Sequence, residues 1–243
     1  MRLVPITVIM AILLATCPQA LAQSRARIFD VPLGAPVSAL PANEWVEPSC
    51  GTDGGPPSLR LDGFEEFGRC AVEDQTGLHE VWFIYDDEWE YVARAYRDPG
   101  EIGRFSANKF FGQPIISSVL IDTDGIIQGY RVVTDPRAPS ALRSDAYLLL
   151  TAFKSLFGEA EWSCALLPLV GREEPVDGRF VKEDCHSVSD GRYIRIVARH
   201  LRKPGQEIFQ VAPEGYFESS ARLEVYVLSA VRGAPCCPAS VLP

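Results

Sequence analysis

The residues of this 243-residue chain best placed to do chemistry are its seven cysteines. Cys17 lies inside an apolar amino-terminal segment. Cys50, Cys70, Cys164, Cys185, Cys236 and Cys237 lie outside it. An even number of cysteines in an exported chain reads as a disulfide framework, because thiols oxidise and stay oxidised outside the cytosol. A metal site is the rival reading. It lacks support here: there is no Cys-x-x-Cys pair, and only three histidines are present. Cys185 and His186 are adjacent, and adjacent side chains on a strand face opposite ways, which suits joint ligation poorly. No metal and no cofactor are therefore expected. Cys236-Cys237 sits in a Pro-rich tail. The pair offers a vicinal ring, a bridge to a partner or two free thiols. A tail tether or a simple vicinal bridge is preferred to a redox role, because Arg232 alone is near to favour a thiolate.

Other candidates for chemistry are sparse. The run Asp86-Asp87-Glu88-Trp89-Glu90-Tyr91 joins acids to aromatics and suits a glycan- or peptide-binding rim. Its plainer reading is a solvated strand end or a helix start with acids near the positive dipole end. Asp122, Asp124 and Gly125 match part of a calcium loop, but the further acid before the Gly and the closing Glu are missing. A hairpin turn explains them better. His79, His186 and His200 are scattered singly. No serine-hydrolase elbow, zinc-protease helix motif, phosphate loop or dinucleotide fingerprint occurs. No catalytic residue is assigned. A pair of carboxylates acting on a polysaccharide or cell-wall substrate stays open as the enzymatic alternative.

The cysteine spacing carries a second message. Cys50 to Cys70 and Cys164 to Cys185 span nearly equal lengths, and each pair follows a Glu-Trp step, Glu44-Trp45 or Glu161-Trp162. Asp62-Gly63 and Asp177-Gly178 precede the second Cys of each pair by the same distance. Gly77 and Gly191 then open strand-like runs, Leu78 to Tyr85 and Arg192 to Ala198. Pro99-Gly100 matches Pro204-Gly205, and Ser117-Ser118 matches Ser219-Ser220. The order suggests a diverged duplication over 33–132 and 140–229. It predicts bridges Cys50–Cys70 and Cys164–Cys185, each worth roughly 3 kcal/mol on the chain-entropy account.

These residues need elements to position them. Met1-Arg2, an apolar run from Leu3 to Ala15 and Ala20-Leu21-Ala22 read as a secretory signal peptide over 1–22. Leu14-Ala15-Thr16-Cys17 loosely resembles a lipobox, but Thr16 suits it poorly. No later run is long enough to span a bilayer as a helix. The formal charge of −9 argues against nucleic acid, whose phosphates reward Lys and Arg. With 47% hydrophobic residues the chain is too apolar to be disordered.

Residues 23–58 read as irregular and disulfide-pinned. Phe64 to Glu73 and Leu78 to Tyr85 read as a hairpin around Asp74-Gln75-Thr76-Gly77, and Ile115 to Val133 as a second one with a type I′ Asp124-Gly125 turn. One long helix is predicted over 140–157, from Leu142, Ala146, Leu149, Leu150, Phe153 and Phe157 on one face. Strands follow at 179–186, 192–200 and 221–229. The fold class is α+β, antiparallel sheet with one long helix. The organisation is a signal peptide 1–22, a first repeat 23–139, a second repeat 140–229 and a tail 230–243. The functional expectation is a periplasmic or secreted, disulfide-stabilised, non-catalytic protein that binds an envelope protein, a small molecule or a glycan.

Overall fold

A computed structural model describes residues 27–85, 95–97, 108–206 and 217–230. The predicted signal peptide over 1–22, the cluster from Asp86 to Tyr91 and the pair Cys236-Cys237 lie outside the described residues. Among the described residues there are nine strands: β1 Trp45–Cys50, β2 His79–Tyr85, β3 Lys109–Phe110, β4 Gln113–Ile121, β5 Ile127–Thr134, β6 Ser163–Leu166, β7 Val181–Ser189, β8 Arg192–Leu201 and β9 Glu218–Val227. They form one antiparallel sheet in the order β1-β2-β4-β5-β9-β8-β7-β6, with β3 beside β4. The first four strands on this path come from the first half of the chain, the last four from the second. The halves meet where β5 pairs β9, with Arg131 opposite Glu224.

Alternation along the strands sorts side chains onto two faces. Val81, Phe83, Val119, Tyr130, Val132, Ile194, Ile196, Leu223 and Val225 build one hydrophobic core on one face. Trp45 stacks on Phe83 with ring centroids 4.2 Å apart. Helix α1, Leu149–Ser155, closes the core with buried Leu149 and Phe153. The ring of Phe153 stacks on Phe110 at 5.2 Å.

The expected long helix is not formed. Residues 140–157 hold two 3-10 turns, Ser140–Arg143 and Ala146–Leu148, before the seven-residue α1. The apolar spacing is used for burial, but the ladder of amide bonds is diverted. The Tyr147 amide donates to Ser219 Oγ of β9 at 3.2 Å instead of to the preceding turn. Asp145 leaves the helical region at φ −102°, ψ 17°. A second correction concerns Phe64–Arg69, read as part of a strand. It is a 3-10 helix, and only Val72 bridges to His79 before the 73–78 turn. The second hairpin forms as read, but its turn is not type I′. Only Gly125 has positive φ, at 79°, and the register slips between Leu120 and Ile121. Both Asp124 and Ile126 amides donate to Asp122 Oδ1 at 2.9 Å, which fixes the turn without needing φ > 0 at Asp124.

Cys50 is bonded to Cys70, and Cys164 to Cys185. These are the two pairs that the spacing singles out. The landmark alignment does not follow the sheet, however. It equates β2 with β8, whereas by place in the sheet β2 corresponds to β7, one strand in from the edge.

Candidate functional site

The face of the sheet opposite the core carries charge at its centre. Cross-strand pairing lines up Ser118, Arg131, Glu224, Arg195 and His186 on β4, β5, β9, β8 and β7. Arg131 is only 1% exposed, and Glu80 and Glu224 are buried beside it. Its Nε donates to Glu224 Oε1 at 2.9 Å. Its Nη1 lies 2.6 Å from Glu73 Oε1 and 3.0 Å from Glu80 Oε2. Its Nη2 donates to Glu73 Oε2 at 3.2 Å. One guanidinium therefore holds three carboxylates from two strands and a turn, with Asp53 Oδ1 a fourth at 3.5 Å, using its fixed fork of donors.

Two segments fold over this centre. The first runs on from Cys50. The Gly54 amide donates to both oxygens of Glu80 at 3.0 and 3.1 Å. A side chain at position 54 would place Cβ 2.6 Å from Val133 Cγ2, and φ is +75°, so only glycine fits. Arg222 reaches the Asp53 carbonyl at 2.8 Å and also its carboxylate. The second segment runs from Cys70 to Gly77 and supplies Glu73, which Thr76 Oγ1 also orients at 2.8 Å. The Cys50–Cys70 bridge joins the roots of both segments.

Burial and pairing set opposite protonation tendencies here. Burial raises the Glu80 carboxyl above its ordinary value, against the pull of Arg131. Glu224 is also buried, yet Arg222 and Arg131 hold it below the usual carboxylate range. Burial works against the charge on Arg131, but Glu73, Glu80 and Glu224 more than restore it. Arg195 is raised by its bidentate bonds to Asp184, at 3.0 and 2.6 Å.

An open groove of about 480 Å³ reaches down to this centre, with Arg131 and Glu224 in its lining. Arg195, Arg199, Arg222 and Ser220 floor it, Val133, Val197 and Leu167 supply apolar wall, and Gln75 and Thr76 form a rim. Most of its guanidinium donors are already oriented by carboxylates, so a polar ligand meets a preset surface.

The residues singled out from the sequence do not gather at this groove. His79 donates through Nδ1–H to the Cys70 carbonyl at 2.8 Å, so it serves the segment root. His186 lies beside Tyr193 on the charged face. His200 is buried against Tyr147, ring centroids 4.3 Å apart, at the far end of β8. Asp122 spends its second oxygen on Gln128 Nε2 at 2.6 Å, a turn role rather than a calcium role. Among the described residues, the one group of three potential metal ligands is Cys164, Glu183 and Cys185, and its sulfurs are bonded to each other.

Sequence reasoning missed the buried centre. A signal was present: His79-Glu80-Val81, Tyr130-Arg131-Val132 and Leu223-Glu224-Val225 each set one charge inside an apolar strand. A lone charge in a strand covered on both faces needs a partner of opposite sign, and these three strands supply each other's. Comparison of the chain with protein-family models, with curated proteins and with solved structures finds no match in any of the three.

Proposed function

We propose that this chain is an exported, disulfide-stabilised binding protein and that it holds a polar ligand or partner in the groove over β5, β9 and β8. In this reading residues 1–22 are a signal peptide, the product is periplasmic or secreted, and the repeated Cys, Trp and Asp-Gly landmarks over 33–132 and 140–229 descend from a duplication. The observation that carries the reading is the 480 Å³ groove in which Arg195 is held by Asp184 and Arg222 by Glu224 and Asp53. Preset donors lower the ordering cost of binding.

The hydrolase reading needs two carboxylates facing each other across room for a substrate. Glu80 and Glu224 have divergent protonation tendencies of the kind such sites use. They are instead clasped on one guanidinium, and Glu80 is sealed beneath the Gly54 amide. Binding is therefore preferred to turnover.

The test compares immobilised wild-type protein with Val197→Trp, which fills the groove, and Leu142→Asp, an exposed change elsewhere. Soluble envelope proteins and wall glycans are the probes. Retention by wild type and Leu142→Asp, lost in Val197→Trp, is the expected result. Equal retention by all three, or cleavage of the glycan by wild type, overturns it.

A further inference from the structure

The two edges of the sheet are built differently. At β1 the edge is closed. Pro48 has no amide to offer, and Glu47 sits at φ 56° where the register shifts between Val46 and Ser49. Residues 58–61 then take the remaining groups: Cys50 N donates to Leu59 O at 2.7 Å, Ser58 N to Cys50 O at 2.9 Å and Leu61 N to Pro48 O at 2.9 Å. Such devices keep a strand from pairing with another chain.

At β6 the edge is open. All four residues, Ser163 to Leu166, are exposed, and Leu166 is 79% exposed. Leu167 N donates to Lys182 O at 2.8 Å, so Leu167, Ala165 and Ser163 turn their backbone groups toward β7. Residues alternate in an antiparallel ladder. Cys164 and Leu166 therefore turn theirs outward, and no amide or carbonyl of these two residues bonds to the backbone of another described residue. From Ser163 to Gly171 no residue is charged, and Leu169 and Val170 are exposed beside the strand.

We propose that β6 is a dimerisation edge and that its occupant is the β6 strand of a second copy. Two features select that occupant. No residue of the stretch is itself charged, and the charge against it is Lys154 Nζ, 3.1 Å from Cys164 Sγ, so copies of an acidic protein meet along the strand without opposing carboxylates on it. The opposite edge is closed, so an open edge finds only another open edge. Pairing is then isologous and stops at two copies. Geometry fixes the register. Cys164 of one copy exchanges backbone bonds with Leu166 of the other, and Ala165 faces Ala165 across the two-fold axis. Pro168 has no amide and ends the pairing. Opposed residues project to the same face of a sheet, so both grooves open on one side of an eighteen-stranded sheet.

Ala165 is exposed, so changes there test the edge without touching the core. Ala165→Lys and Ala165→Asp each set like charges opposite one another at the axis; mixed, they set opposite charges there. Sedimentation of the disulfide-intact protein over a concentration series, with circular dichroism as the folding control, should find a wild-type dimer, two monomeric variants and a heterodimer in their equimolar mixture. A wild type monomeric up to its solubility limit overturns the proposal. So do variants that dimerise like wild type, or a mixture that stays monomeric. Because Ala165 does not line the groove, ligand retention by the monomeric variants separates this result from the binding reading.

Discussion

At the scale of single residues, Arg131 is the position on which most else depends. Replacing it with Met would leave Glu73 and Glu80 in a covered site without their counter-charge, while Glu224 keeps Arg222. Breaking a buried pair in this way costs about 3–5 kcal/mol. Urea unfolding of Arg131→Met should show a loss of that size, whereas Glu80→Gln, which keeps an acceptor for Gly54 in a site that favours the neutral acid, should lose much less. His200 gives a pH dependence. Burial lowers its pKa below 6.5, and Arg179 adds to that, against Asp145 and Asp177. The unfolded chain then takes up the proton first. Stability contributed by neutral His200 is whole above pH 6.5 and drains away as pH falls from there through the folded value. Wild-type stability should fall over that window, and the slope should flatten in His200→Gln; an unchanged slope would show that other groups set it. None of this was legible from residue type alone. An Arg or a His reads as solvated until the strands that cover it are known.

At the scale of elements, the lesson lies in how one part of the chain competes for another's hydrogen bonds. The period of Leu142, Ala146, Leu149 and Phe153 located a helical segment and its buried face. It did not reveal that Ser219, 72 positions away, takes the Tyr147 amide and divides the helix. Ser219→Ala should remove that competitor and leave the buried amide unsatisfied, a cost of about 1–3 kcal/mol by thermal unfolding. The strands β2, β4, β5, β7, β8 and β9 were legible because apolar residues recur in short runs between Gly and Asp turns. The Cys pairs were legible because each closes a short local loop. The two bridges nevertheless do different work. Cys50–Cys70 joins the roots of the segments over Arg131, and Cys164–Cys185 staples neighbouring strands. A Cys50→Ser, Cys70→Ser double variant should lose roughly 3 kcal/mol. It should also speed hydrogen exchange at the Gly54 amide. The Cys164→Ser, Cys185→Ser double variant should leave exchange at Gly54 near wild type.

At the scale of the whole molecule, the sheet is two four-stranded meanders joined at one line, β5 against β9. Every other strand pair belongs to one half. Sequence reading found repeated landmarks but not this arrangement, because pairing between Arg131 and Glu224 leaves no local trace beyond two matched charges. The same line has a kinetic meaning. The hairpins and both bridges close over short stretches of chain, whereas the central pairing must bring together residues 93 positions apart. Contacts of that separation are paid for in chain entropy before they return anything, so they form late. Neither bridge crosses the line. An oxidised chain can therefore have each half assembled and correctly cross-linked while the halves remain undocked, and the meeting of Arg131 with Glu224 marks the moment at which two preformed sheets become one.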